Sequence, residues 1–507
     1  MTTATDTPPT GTVRSWLDQR ADRQGTDVSH YFPTAPDLTW GELRDTAAEI
    51  ANHLAGMGLV KGDSVALMMP NSRMGIACLF GVLYGGFRIA VINLVAGAEA
   101  MGYALSHSDA KVVLVGAAQG DLFTAAAATH ETGARQIRVG DTIAWPEGTT
   151  PAALPDLGPQ DDALLMYTSG TTGRPKGVLH THASLLAGGW TVALAHRLTD
   201  ADRVLCVLPI YHINGLCVTI MAPLIAGGSV VVCDKFSASQ FWALCAKHEV
   251  TWFSVVPTII SHLLHGAKDP DAATKARIRF GRSASSALAV ETQAAFETRF
   301  GIPIIETMGL TETAAQILSN PLPPGLRKIG SPGMAYGNEV AILGPDMAPL
   351  AADIEGEIAV RGPNVMLEYY KNPDATKGTF TDTGWLRTGD LGKIDADGYV
   401  FVTGRLKELI IKGGENIAPR EVDEALYSHP DVVEAAAFAR PCSSYGERVE
   451  AAVKLRDGAT VSQHELIDLC TQKLGKYKCP DIIHILDDLP KGPSGKIQRL
   501  RLAQITG

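Results

Sequence analysis

Apolar positions recur at helical spacing across residues 40–57, WGELRDTAAEIANHLAGM, and Gly58 follows as a stop. A short apolar run, SVALMM (64–69), comes next, and Pro70-Asn71-Ser72 opens a second helix. RIAVI (88–92) and KVVLVG (111–116) read as further strands, with a helical stretch between them. The alternation resumes near 163–168, 203–208, 229–233 and 251–256, again separated by helical segments. Repeated strand–helix–strand order predicts an α/β fold of parallel sheets with helices on both faces.

After about residue 335 the pattern changes. EVAIL (339–343) and GEIAVRG (356–362) are short alternating segments punctuated by Gly, Pro and Asp, which predicts a more antiparallel β region closing the large domain. Residues 408–507 mix strands at about 408–411, 432–438 and 449–455 with helices at about 419–428 and 463–475, a compact α+β tail. A chain of 507 residues is too long for one hydrophobic core. The organisation read from the pattern is therefore a large domain over 1–404 and a small one over 408–507.

Hydrophobic residues make up 46% of the chain, too many for a disordered protein. The formal charge of −10 gives no general attraction for a phosphate backbone, so nucleic acid is not the expected partner. Cysteines 78, 206, 217, 233, 245, 442, 470 and 479 show no C-x-x-C spacing and several sit in apolar runs; they read as free thiols in a reducing cytoplasm. The Thr/Pro-rich start, MTTATDTPPT, lacks an apolar signal region and reads as disordered. The longest apolar stretch, 76–95, is broken by Gly85, Gly86 and Arg88, which favours a buried helix and a strand over a membrane span.

The chemistry begins at YTSGTTGRPKG (167–177), directly after the apolar strand ALLM (163–166). Three glycines allow close backbone approach, hydroxyls come from Thr168, Ser169, Thr171 and Thr172, and Lys176 adds a cation. Successive amides of such a loop, with Gly170 and Gly173 at its turns, form an anion nest suited to β- and γ-phosphates. It is not a Walker A loop, because Lys176 follows Pro175 rather than a glycine.

YTSGTTGRPKG resembles the signature of the adenylate-forming superfamily, whose members are acyl-CoA synthetases, adenylation domains of peptide synthetases and luciferases. The resemblance runs from about residue 39 to 500, with further motifs in the expected order. It implies ATP, Mg²⁺ and coenzyme A as cofactors. PIYHING (209–215) is similar to the motif at the acyl pocket, which would set His212 beside the bound carboxylate. SASSAL (283–288) resembles the segment beside adenine and acyl group, implicating Ser283, Ser285 and Ala287. ETMGLTET (306–313) resembles the Y-G-x-T-E motif: Thr307, Met308 and Gly309 would border the nucleotide, Thr311 the α-phosphate, and Glu312 would help hold Mg²⁺. Met308 stands where the family usually has an aromatic residue, and its thioether can still cover a purine face.

TGD (388–390) resembles the ribose motif, with Asp390 accepting from the hydroxyls and Arg405 adding a second contact. The resemblance puts the hinge at 405–407 and makes the small domain mobile. Lys412, Gly413 and Gly414, in KGGENIAPREVDEAL (412–426), would line the thiol tunnel in the thioester-forming conformation. LPKGPSGKIQR (489–499) resembles the segment that carries the adenylation lysine, here Lys496, an ammonium that neutralises charge developing at the α-phosphate. The resulting expectation is an AMP-forming acid–thiol ligase, cytoplasmic, without a membrane span, and a monomer or homodimer.

The acid is narrowed by what is missing. PIYHING and FSVVPTII (253–260) carry no Asp to pair with an α-ammonium, which argues against amino acids. SNPLPPGLRKIGSPG (319–333) and FGRSASSAL (280–288) resemble the branch of oxalyl-CoA synthetases and ligases for sulfonated short acids. Arg282, Asn214 and His212 are the candidates to receive a second anionic group, since Arg suits bidentate oxyanion contacts. Oxalyl-CoA synthetases tend to have His three residues after the motif's glutamate; here Ala315 stands there, so sulfoacetate-like and oxalate-like acids both stay open. A carrier-protein ligase, a CoA ligase for another short-chain, medium-chain or aromatic acid, a luciferase-like oxygenase and an inactive nucleotide-binding regulator are the rival readings. With no carrier domain after residue 507, free coenzyme A is the expected acceptor.

Overall fold

The computed structural model describes residues 6–168, 175–266, 268–491 and 497–506. Ser169, Gly170, Thr171, Thr172, Gly173 and Lys496 therefore lie outside the described residues, as does the start of the chain through residue 5.

Among the described residues, one sheet of seven strands runs in the order Glu368–Tyr369, Lys176–Thr181, Asp162–Thr168, Arg88–Val91, Ser64–Met68, Ala110–Gly116, Arg135–Val139. Its central strands are parallel. All five residues of Ser64–Met68 are buried, which is why SVALM reads as an unbroken apolar run and not as an alternation. A second sheet of nine strands is parallel from Val28–Tyr31 through Ser229–Val232, Arg203–Cys206, Trp252–Val255 and Phe280–Ser283 to Ile304–Leu310. Beyond Ile304–Leu310 it turns antiparallel, with Ala315–Ser319 as the next strand.

Helices Trp40–Gly56, Arg73–Gly85 and His182–Ala195 share one hydrophobic core with strands of both sheets. Thr39 and Glu42 close a reciprocal capping box at the start of the first of these helices, which satisfies two orphan amides. Arg73–Gly85 is apolar almost all round because it is buried almost all round. A Cβ on its Gly81 would meet Ile50 Cγ2 at 2.6 Å, so glycine is what lets the two helices approach. The helix ends at Gly86, in a left-handed conformation, and a strand follows. Among the described residues no helix is long and apolar enough to cross a membrane.

Strands Glu339–Leu343, Gly356–Arg361, Leu386–Ile394 and Val400–Arg405 form an antiparallel sheet, the β region expected after residue 335. The chain then passes through a turn at 406–408, with Leu406 and Lys407 exposed, and enters a five-stranded sheet. That sheet packs with helices Pro419–Tyr427 and Gln463–Lys478 around its own core, including Ile410, Val422, Leu426, Val453 and Leu466.

Several boundaries differ from those expected. The strand expected at 408–411 is Ile410–Lys412, and Gln463–Lys478 runs past 475 through a non-helical Gly475. Lys176 and Gly177, read as loop, begin the strand Lys176–Thr181, because Thr168 and Lys176 pair across an antiparallel hairpin. Helix Val13–Gln24 and strands Val28–Tyr31 and Ile482–Ile485 had no sequence expectation; the helix buries only Val13, Leu17 and Arg20, too sparse a stripe to stand out. Seven cysteines are buried and Cys442 is half-buried; all eight are free thiols.

Candidate active site

A cleft of about 300 Å³ opens at the carboxyl ends of strands Phe280–Ser283 and Ile304–Leu310, with the small domain on its other side. Ligands of open α/β sheets bind at this kind of place. Of the residues singled out in the sequence, Ser285, Ala287, Thr307, Met308, Gly309, Asp390 and Arg405 line it. Thr307 Oγ1 donates to the carbonyl of Ser283 at 3.1 Å, tying the two strand ends together. Ser285 has φ 76°, a left-handed conformation that an ordinary side chain adopts only where its surroundings enforce it. Gly309 has no alternative: a Cβ there would lie 1.5 Å from the Ala315 carbonyl oxygen.

Asp390 and Arg405 are register partners on adjacent strands, and their side chains form an ion pair at 2.6 Å. The sequence reading gave each a separate contact to ribose or phosphate; folding makes them one unit. The charge of Asp390 raises Arg405 above its ordinary value, with burial opposing.

A second corner gathers the phosphate and metal candidates. Thr168 and Lys176 face each other at the two feet of the signature loop. The Lys176 ammonium lies 4.4 Å from the ring centroid of Tyr369, whose hydroxyl donates to Glu312 Oε1 at 2.7 Å. Thr311, beside Glu312, is anchored through its carbonyl to His180 Nε2 at 2.7 Å. Burial pushes His180 down to about 4, so its ring is neutral at neutral pH and Nε2 carries the proton that Thr311 accepts. Among the described residues no three His, Cys, Asp or Glu side chains cluster as a metal cage. One carboxylate, Glu312, near the feet of the signature loop fits Mg²⁺, which takes one or two carboxylates and completes its shell with phosphates and water.

The acid candidates lie behind the cleft wall. Asn214 donates from Nδ2 to Ser285 Oγ at 3.3 Å, and its Oδ1 accepts from Arg282 Nη1 at 2.9 Å. Arg282 also donates to Ser254 Oγ at 3.2 Å and, from Nε, to Gln316 Oε1 at 3.4 Å. It is 1% exposed, and no carboxylate pairs with it among the described residues. Burial pulls its guanidinium down to about 9, which still leaves a cation at neutral pH. Ser283 is buried beside it, and His212 sits half-buried before the π-helical turn Asn214–Met221, its ring against Tyr211.

The small domain contributes Arg420, Glu424, Ile497 and Arg499 to the cleft. Arg499 bridges Glu408 at 3.2 Å and Asp423. Lys412, Gly413 and Gly414 do not line the cleft in this arrangement. Gly413 and Gly414 form the exposed turn of a hairpin, and the buried Lys412 ammonium is engaged by Tyr477 O at 3.1 Å and Asp481 at 3.6 Å.

Glu306 is a cleft residue to which the sequence reading gave no role, although it opens the quoted ETMGLTET motif. It is 3% exposed; Oε1 accepts from Leu288 N at 3.3 Å, and Oε2 has no hydrogen-bond partner. Burial raises its carboxyl above the ordinary range. The available signal was a lone acid in the apolar strand PIIETM (303–308).

A sheet-end cleft facing a small domain with its own core is the place where an open α/β fold takes a ligand. Residues 17–370 match the AMP-binding enzyme family and residues 421–496 its C-terminal domain, so the chain belongs to the AMP-binding enzymes. It is an acid–thiol ligase, AMP-forming, with ATP and coenzyme A as co-substrates. It is 48% identical over 475 residues to a sulfoacetate–CoA ligase of Cupriavidus necator, covering 92% of each chain. It is 36% identical over 496 residues to an oxalate–CoA ligase of Arabidopsis thaliana, covering 95% of each. Among solved structures, ATP-bound MatB from Rhodopseudomonas palustris superposes with a TM-score of 0.89 at 30% identity, over 98% of this chain and 99% of that one.

Proposed function

We propose that the acid taken by this ligase is short and carries a second anionic group, with sulfoacetate the best candidate. The observation that carries this is Arg282. Among the described residues this buried cation is held by the neutral side chains of Asn214, Ser254 and Gln316, with no acid paired to it. Buried charges are costly unless paired. A sulfonate or second carboxylate that passes Ser285 and meets Asn214 supplies the counter-charge. A long alkyl chain would leave the cation uncompensated. The relationship at 48% identity to a sulfoacetate ligase supports the same class.

In the first half-reaction the carboxylate of the acid attacks the α-phosphate of ATP and expels pyrophosphate. Ser285, Ala287 and Met308 flank the base, Asp390 with Arg405 holds the ribose, and Thr168 with Lys176 holds the phosphates. Gly309 lets the α-phosphate lie close to backbone, and Thr311 orients it. Mg²⁺, held by Glu312, would neutralise phosphate charge. Lys496 supplies the cation that stabilises the transition state; its neighbour Ile497 lines the cleft, which supports that role. His212 borders the reacting carboxylate.

In the second half-reaction the small domain, 408–507, rotates at 405–407. That motion withdraws Lys496 and presents the Lys412–Gly414 turn, so the thiol of coenzyme A reaches the acyl-adenylate and AMP leaves. The exposed turn at 406–408 and the separate core of the small domain support a hinge there.

The test is CoA-dependent AMP formation with sulfoacetate, oxalate, malonate, acetate, octanoate and several amino acids. The expected result is kcat/KM at least about a hundredfold higher for a dianionic acid than for acetate or octanoate, the scale of one buried charge pair. Preference for octanoate would refute the assignment of Arg282. Pyrophosphate release without a CoA thioester would point to a carrier protein as acceptor.

A further inference from the structure

Three separated segments meet at Tyr369. The residue lies in the two-residue strand Glu368–Tyr369, paired antiparallel with Lys176–Thr181 opposite Val178. Its side chain is 6% exposed. The hydroxyl donates to Glu312 Oε1 at 2.7 Å, and the Lys176 ammonium stands 4.4 Å from the ring centroid. A second tie runs through the backbone, where Met366 N donates to Glu312 O at 2.8 Å. Tyr369 is itself fixed, its backbone N–H donating to Thr376 Oγ1 at 3.0 Å.

Glu312 and Lys176 touch the same tyrosine yet form no ion pair with each other. A lysine and a glutamate that close together can pair directly, and pairing would spend the charge each needs for phosphate and metal. The ring accepts the ammonium on its face by cation–π attraction, while the hydroxyl takes one carboxylate oxygen. Each charge is thereby oriented without being cancelled.

We propose that Tyr369 is a positioning residue that holds Glu312 and Lys176 apart in one fixed geometry, so that metal and nucleotide phosphates are gripped together. This rests on the reading of Glu312 as the metal carboxylate and Lys176 as a phosphate cation. The two halves of the tyrosine have separable effects. Its hydroxyl acts on the metal, and its ring acts on the phosphates.

The experiment uses the full chain and compares Tyr369→Phe, Tyr369→Leu and Glu312→Gln. Bound Mn²⁺ is counted by electron paramagnetic resonance in the presence of ATP, ATP binding is measured calorimetrically with and without Mg²⁺, and Mg²⁺ half-saturation is taken from pyrophosphate exchange. Tyr369→Phe keeps the ring, so Mg²⁺ half-saturation and Mn²⁺ dissociation are expected to rise about tenfold, the scale of one charge-assisted hydrogen bond. Metal-free ATP binding and KM for the acid should change less than about twofold. Tyr369→Leu, which also frees Lys176, should in addition weaken metal-free ATP binding by about threefold or more. If Tyr369→Phe binds metal as the parent does while Glu312→Gln does not, the positioning role is wrong and the reading of Glu312 stands. If neither variant alters metal binding, the reading of Glu312 fails and the proposal with it.

Discussion

On the large-domain wall of the cleft, Glu306 and Thr307 are buried at the end of one strand, and Arg282, on the neighbouring parallel strand behind them, is held by neutral side chains. On the small-domain wall, Arg420 pairs with Glu424 at 2.8 Å, and Arg499 pairs with Glu408 at 3.2 Å, both within the small domain. Contact across the cleft includes one long hydrogen bond, Arg420 Nη2 to the Gly330 carbonyl at 3.4 Å. The first wall is held in place by strand pairing and by the Thr307–Ser283 hydrogen bond. The second has satisfied its own charges, so separating it from the first breaks little. In the proposed mechanism that asymmetry is used: substrates stay on the first wall while the second is exchanged.

The comparison is tested most severely at Lys496. Lys496→Ala should lower the rate of pyrophosphate exchange by about a hundredfold to a thousandfold, the scale of one transition-state charge. Thioester formation from a supplied acyl-adenylate should be unaffected. Equal loss in both half-reactions would mean that the two walls do not divide the work in this way. On the fixed wall, Arg282→Gln should reduce kcat/KM for sulfoacetate by about a hundredfold, as expected for losing one partner of a buried charge pair. KM for ATP should stay within about twofold, and the melting temperature shows whether the buried site still folds. A proportional loss with acetate would mean that Arg282 serves the sheet rather than the second anion. The smallest effect belongs to the contact between the walls. Arg420→Ala should change either half-reaction by only a few-fold, because partly exposed polar contacts contribute about 1 kcal/mol or less. Stopped-flow comparison of the two half-reactions would expose any larger coupling.

Much of this could be read from residue order. Buried runs such as SVALM and capped amphipathic stretches such as 40–56 announce themselves by periodicity, and so does the apolar strand before the signature loop. Ser285, Thr307, Met308, Gly309, Asp390 and Arg405 stood out as candidates because local motifs carry them, and all of them line one cleft. Glu306 was visible but silent, since only burial and an unpartnered Oε2 mark it out.

The sequence by itself determined the fold class and the change to antiparallel strands after residue 335, because those depend on neighbours within a few residues. Tertiary structure alone decided which charges meet. Asp390 and Arg405 lie fifteen positions apart and become an ion pair through strand register. Lys412 turns inward to Tyr477 and Asp481, and Tyr369 stands between Glu312 and Lys176. Among the described residues no acid pairs with Arg282, because the neighbouring strands bring Ser254 and Gln316 and the helical segment Asn214–Met221 brings Asn214. Pairing and desolvation depend on what lies within a few ångströms, and for residues far apart in the chain only folding sets that distance.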